Sequence, residues 1–319
     1  METSFDIERA RFARRAREAM QGPPVFVCGL ARAGTTVFMR LLHASGAFAS
    51  PTYRDMPFPL APNGWARLTG KRSVATSERG HGDGLTHDLD SPEAIEEVFW
   101  RCFEGEHYIG PEGLKPVPPQ QETLDRFRDY AALVCLRHRA PRYLSKNNNN
   151  ILRLEALVRA FPDAVLAHPF RDPEQQAASL LNQHLRACKL HREDPFRRHY
   201  MTWLGHHEFG GDHRPFLLAG DSAAEDAQGP DYWLAIWTSV YRHLLAQDGA
   251  VGERQVFLDY DAACEDPAAV APRLAGKLRL PAASLPVDLR APARREATGC
   301  DPALLAQARE IHDALRARA

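Results

Sequence analysis

The eight residues Gly29-Leu30-Ala31-Arg32-Ala33-Gly34-Thr35-Thr36 have the spacing of a phosphate-binding loop, with Thr35 where such a loop carries its lysine. The apolar run Pro24-Val25-Phe26-Val27-Cys28 before them reads as a buried strand, and Thr36-Val37-Phe38-Met39-Arg40-Leu41-Leu42 behind them has apolar residues at helical spacing. A strand, a tight turn and a helix aim several backbone N–H groups and a helix N-terminus at one anion. The lysine ordinarily reaches the β- and γ-phosphates of a nucleoside triphosphate, so its absence argues against ATP or GTP. Phosphate recognition as such survives, because the backbone cradle remains and Arg32 offers a fixed fork of donors. Taken alone, the same string also fits a strand-to-helix turn that merely needs small residues.

The rest of the chain supports an α/β reading. Arg142-Tyr143-Leu144-Ser145 forms a short strand ending at Lys146, and the asparagines after it cap a helix over 151–161. Residues 164–170 read as a strand and 173–188 as a helix opened by Asp172-Pro173; a helix over 233–245, a strand over 254–260 and a helix over 267–278 follow. Helices are also expected over 5–20, 93–104 and 121–139. Strands alternating with helices imply a P-loop-type parallel sheet flanked by helices on both faces, in one domain over 1–319. Two stretches interrupt this pattern, a proline- and glycine-rich one within 51–120 and a His-, Gly- and Asp-rich one over 191–230, each too long for a plain connection. The helix over 5–20 carries Arg9, Arg11, Arg14, Arg15 and Arg17 around an apolar face and reads as a solvated helix leaning on the domain.

A formal net charge of −1 points away from a general nucleic-acid binder or a membrane-surface protein. The six cysteines are scattered without a CxxC pair and read as reduced thiols. No apolar run approaches the ~20 residues that cross a bilayer, and the first residues lack a signal-peptide core, so a cytoplasmic location is expected.

Ligands of open α/β sheets bind beyond the carboxyl ends of the strands. Arg32, Lys146, Arg171 and Asp261 all fall at such ends. Lys146 is one of only five lysines, and Ser179 lies eight residues beyond Arg171 on the next helix. By itself, Arg171-Asp172-Pro173 also fits an exposed arginine before an Asp cap.

Together, the loop at 29–36, Phe161-Pro162-Asp163-Ala164, Phe170-Arg171-Asp172-Pro173 with Ser179, and Leu258-Asp259-Tyr260-Asp261 before Glu265-Asp266-Pro267 resemble the sulfotransferase family. Those enzymes use 3′-phosphoadenosine 5′-phosphosulfate (PAPS) and release adenosine 3′,5′-bisphosphate. The likeness spans most of residues 24–280. The arginine-bearing loop is more similar to the bacterial, glycan and tyrosylprotein branches than to the cytosolic one, whose loop carries lysine. The resemblance implies that Arg32, Ala33, Gly34, Thr35 and Thr36 hold the 5′-phosphosulfate and that Arg171 and Ser179 hold the 3′-phosphate. It implies a catalytic role for Lys146, although Lys146-Asn147-Asn148 departs from the usual Lys-Thr-Pro. Arg32 and Lys146 then neutralise charge on the bridging oxygen without a metal, and the acceptor, a hydroxyl or less readily an amine, faces the two insertions. Related branches place a carboxylate base shortly after the first helix. Asp55 is the candidate here, with His43, His81 and His87 as alternatives and a plain ion pair with Arg54 as the structural reading.

Other constellations are weaker. His81-Gly82-Asp83 with His87 and Asp88, or His206-His207 with Asp212 and His213, contain ligand types of a metal site without its spacing, so no metal is expected. Tyr232, Trp233, Trp237 and Tyr241 recur at helical spacing and read as packing residues. A small-molecule kinase with a degenerate P-loop and a non-catalytic nucleotide-binding protein remain the alternatives.

Overall fold

The computed structural model describes residues 1–69, 77–78, 86–87, 90–218, 226–281, 285, 289 and 299–319. In chain order the elements are α1 (Glu2–Ala19), β1 (Val25–Val27), α2 (Thr35–Ala44), β2 (Phe48–Ala49), α3 (Pro62–Thr69), β3 (Ser77–Glu78), β4 (Thr86–His87), α4 (Glu97–Tyr108), α5 (Gln121–His138) and β5 (Arg142–Lys146). There follow α6 (Leu154–Ala160), β6 (Val165–Phe170), α7 (Pro173–Glu193), α8 (Pro195–Trp203), α9 (Pro230–Ala246), α10 (Asp248–Val251), β7 (Gln255–Asp259), α11 (Tyr260–Glu265), α12 (Pro267–Lys277) and α13 (Pro302–Arg316).

Five parallel strands form one sheet in the order β2-β5-β1-β6-β7. Strand β1 is central, with Val27 opposite Lys146 of β5 on one side and Ala167 of β6 on the other. Alternation along β1 explains the two cores. Val25 and Val27 pack with Phe38 and Leu42 of α2 and Leu274 of α12, while Phe26 faces Phe127 of α5 and Phe161. Helices therefore cover both faces, as the unbroken apolar strands require.

Local chemistry sets the ends of the helices near the site. Asp172 accepts a hydrogen bond from Gln175 N at 2.9 Å, with Pro173 in the first turn of α7. Asp259 and Asp266 cap α11 and α12 in the same way. The basic helix α1 buries Phe5, Phe12 and Ala16 and turns Arg9 and Arg17 onto Asp129 of α5, so it leans on the domain. No helix among the described residues is long and apolar enough to cross a membrane.

Two local readings change. The helix expected over 151–161 is a 3-10 turn, Asn148–Arg153, followed by the short α6; Asn147 caps that turn, its Oδ1 accepting from Asn149 N at 3.1 Å, while its amide and that of Asn150 bond buried glutamates. The stretch over 191–230 is not wholly irregular: Asp194 caps α8 and Pro195 occupies its first turn.

Candidate active site

The turn after β1 is shaped by two residues of positive φ, Arg32 at 68° and Gly34 at 83°. Left-handed residues of this kind curl successive N–H groups around an anion. Helix α2 then begins at Thr35, and its first backbone bond is Phe38 N to Gly34 O at 3.0 Å. By helix geometry the N–H groups of Thr35, Thr36 and Val37 therefore point out of the helix mouth, where its dipole favours negative charge. Gly34 is required twice over. Besides its φ, a Cβ there would lie 2.7 Å from Cε2 and 2.8 Å from Cγ of Tyr260. The loop is held from behind by Gln176 of α7, fully buried, which donates to Ala31 O at 3.0 Å and accepts from Trp237 Nε1 at 3.0 Å.

Arg32 donates through Nε to Ser179 Oγ at 3.1 Å, so the loop after β1 and helix α7 meet side chain to side chain. Arg171 leaves the end of β6 buried, its Nε 3.2 Å from Asp261 Oδ1 and its guanidinium over the Tyr260 ring. The second Asp261 oxygen accepts from Asp172 N at 2.8 Å. Asp261 thus fixes the plane of Arg171 and the start of α7 together.

Lys146 closes β5 beside the loop, since Asn147 N bonds Val27 O at 3.1 Å. The four asparagines behind it are all buried and tie the two insertions to this point. Asn147 and Asn150 donate to Glu96, and Asn147 also to Glu97 at 2.6 Å. Glu97 is held by both terminal nitrogens of Arg153 at 3.0 and 3.1 Å and by the hydroxyl of Tyr108. From the other insertion, Glu208 accepts from Asn148 Nδ2 at 2.8 Å and Gly205 O from Asn149 Nδ2 at 3.2 Å. Burial works to raise the Glu208 carboxyl. His206, 3.6 Å away, and the Lys146 ammonium outweigh it and hold that carboxyl well below the usual range.

The structure therefore gathers Arg32, Ala33, Gly34, Thr35, Thr36, Lys146, Arg171 and Ser179 at the carboxyl edge of the sheet. Asp55 takes a different place. Its buried carboxylate accepts from Thr52 N at 2.9 Å in a capping box and pairs with His138 Nε2 at 2.9 Å and Arg137 Nε at 3.4 Å. Those partners end α5, where the chain is about to enter β5, whereas Lys146 is where it leaves. Arg54 pairs with Asp90 rather than with Asp55. His43 closes α2, eight residues and about 12 Å along the helix from Thr35. His81 lies outside the described residues, as do Gly82, Asp83 and Asp88, and His87 sits on β4. His213 is engaged at both nitrogens, with His207 O at 3.1 Å and Tyr232 OH at 2.7 Å, and burial lowers its pKa to about 4.

A model of the sulfotransferase family matches residues 23–214, more than half the chain. The chain belongs to the sulfotransferase family. Sulfotransferases are PAPS-dependent enzymes, and a loop with threonine in place of the nucleotide-triphosphate lysine fits that membership. Among solved structures, the fold is similar to a sulfotransferase from Mycobacterium tuberculosis H37Rv, with 15% identity, 87% of this chain and 73% of that one covered, and a TM-score of 0.51. A sulfotransferase from Mycobacterium avium aligns over 95% of this chain and 71% of its own at 20% identity, with a TM-score of 0.48. No curated protein sequence matches the chain.

Glu208, Gln176, Glu96 and Glu97 are the site residues that sequence reasoning did not single out. No motif carries them. A buried glutamine inside a helix or a glutamate in a His-rich loop has the same local signature as a solvated one.

Proposed function

We propose that this sulfotransferase moves the sulfuryl group of PAPS to a hydroxyl acceptor, less readily to an amine. The observation that carries the reading is the contact of Arg32 with Ser179, which joins the loop after β1 to the helix headed by Arg171. Arg32, Ala33, Gly34, Thr35 and Thr36 would hold the 5′-phosphosulfate through backbone N–H groups, hydroxyls and guanidinium. Arg171 and Ser179 would hold the 3′-phosphate, the group that sets this donor apart from ordinary nucleotides. The residues present suit such a polyanion: three cations and a helix N-terminus share one edge of the sheet. By analogy with phosphoryl transfer, catalysis is positioning plus charge stabilisation, supplied here by Arg32 and Lys146. The insertions within 51–120 and over 191–230 would form the acceptor side, and their ties to the asparagines beside Lys146 support this. The arginine in the loop favours kinship with the glycan and tyrosylprotein branches.

Calorimetry with adenosine 3′,5′-bisphosphate tests the donor class. Binding is expected without metal, to weaken about 10- to 100-fold in Arg171→Ala from the loss of a charged hydrogen bond worth about 1.5–3 kcal/mol, and to far exceed that of AMP. Lys146→Ala should mainly lower turnover. Preference for ATP with magnesium would refute the sulfotransfer reading in favour of a kinase.

A further inference from the structure

Beside Lys146 lies a pocket that no step above uses. It comprises about 360 Å³ of atom-free space counted out to an open mouth. One wall is the loop after β1, at Leu30 and Ala31. The others bring Leu180 of α7, Trp233 and Ile236 of α9, and Phe216 from the second insertion. Polar groups gather at one end, where Asn148, Asn149 and Glu208 line the space directly after Lys146. The remaining polar liners are engaged elsewhere: His213 by His207 and Tyr232, and Arg214 by Gly110 O.

At the polar end, Asn148 and Asn149 are 3% and 2% exposed, and each keeps a buried Oδ1 without a hydrogen-bond partner among the described residues. Unpaired buried oxygens in a site built of hydrogen-bonded amides call for a donor. Glu208 adds a carboxylate to the same end. The pocket therefore asks for a molecule with an apolar body and a polar end that donates into this cluster of acceptors. A carbohydrate would press its ring hydroxyls against Leu180, Trp233 and Phe216, at about 1–3 kcal/mol for each left unpaired. An amine would enter as ammonium, which has no free electron pair to attack sulfur until it loses a proton.

We propose that this pocket is the acceptor subsite, that it takes a hydroxyl borne on an apolar body, and that Glu208 is the catalytic base. The inference rests on the sulfotransfer reading above and deepens it. The acceptor oxygen forms a bond to sulfur while the bond from sulfur to the 5′-phosphate oxygen breaks. The electron pair of that bond leaves with adenosine 3′,5′-bisphosphate, and the hydroxyl proton passes to a Glu208 carboxylate oxygen. His206 first, and the Lys146 ammonium with it, keep the carboxylate ionised while the donor site is open. When the ammonium turns its charge to the sulfonate oxygens, that restraint weakens and the carboxylate gains proton affinity as it is needed.

The test pairs donor binding with transfer of labelled sulfate to four acceptors: 1-octanol, 4-nitrophenol, octylamine and trehalose. Wild type is expected to sulfate the octanol and the phenol. Glu208→Gln is expected to bind adenosine 3′,5′-bisphosphate as wild type does, to lose about 10²- to 10⁴-fold in kcat on octanol, and to lose only a few-fold on 4-nitrophenolate, which has no proton to give. Glu208→Asp, which keeps the charge, should show the same ordering with smaller losses and stands in if the glutamine variant does not fold. Equal losses on octanol and nitrophenolate overturn the base assignment. Bisphosphate binding with transfer only to trehalose, only to octylamine or to none of the four overturns the acceptor class. Absence of bisphosphate binding in wild type removes the donor reading first, and this inference with it.

Discussion

Replacing Gly34 by alanine strains the loop in two separable ways. The backbone sits at φ +83°, where an L-residue with a Cβ costs about 1–2 kcal/mol. The new methyl would also lie 2.7 and 2.8 Å from ring carbons of Tyr260, well inside contact distance, and repacking an overfilled site costs about 1–3 kcal/mol. The two add to about 2–5 kcal/mol of lost stability. Tyr260 is itself hemmed in, because its ring packs edge-on to Phe38 and carries the Arg171 guanidinium. The loop must therefore move as well, and bisphosphate binding should fall more than stability alone implies. Urea unfolding of wild type, Gly34→Ala, Tyr260→Ala and the double variant separates the terms. The clash predicts a coupling of about 0.5–3 kcal/mol, the double variant losing less than the sum of the singles. The reasoning is refuted if the effects add to within about 0.5 kcal/mol, or if Gly34→Ala unfolds with wild-type stability and binds the bisphosphate normally.

Gln176→Leu should destabilise by about 2–6 kcal/mol, because it leaves both the Ala31 carbonyl and the Trp237 indole N–H buried without a partner, and bisphosphate affinity should fall with it; unchanged affinity would show that the loop needs no support from α7. Acid should destabilise the fold through His168 and His213, which burial brings from an ordinary 6.5 to about 4. Between those values the unfolded chain binds the proton and the folded one does not, so stability is full above pH 6.5 and declines as pH falls toward 4. Urea titrations at pH 7, 6 and 5 should show this decline, and a slope unchanged in His168→Asn would remove that histidine from the account.

The strand–loop–helix unit, Lys146, Arg171 and Ser179 were legible because each rests on local rules. Alternating apolar residues bury strands, Asp-Pro opens helices, and small residues allow a loop to tighten around an anion. Parallel topology then sends every strand's exit to the same edge, so residues placed one by one at strand ends come together there. Asp55 shows where that logic stops. Its position a short way beyond the helix after the loop suits a base, yet its oxygens are committed to Thr52, Arg137 and His138, two of them more than eighty residues away in sequence. Glu208 shows the converse: nothing local distinguishes it, and only the fold brings it to Asn148 and Lys146. The asparagine run reads as a cap from sequence, and in the structure Asn147 does cap the turn after β5 while the run also clamps two insertions to the end of that strand. Backbone geometry is short-ranged and can be inferred from neighbouring residues, so the sequence by itself determined the sheet, the tight loop after β1 and the family. Which buried carboxylates are neutralised, and by what, depends on partners distant in the chain, and that only the tertiary structure decided.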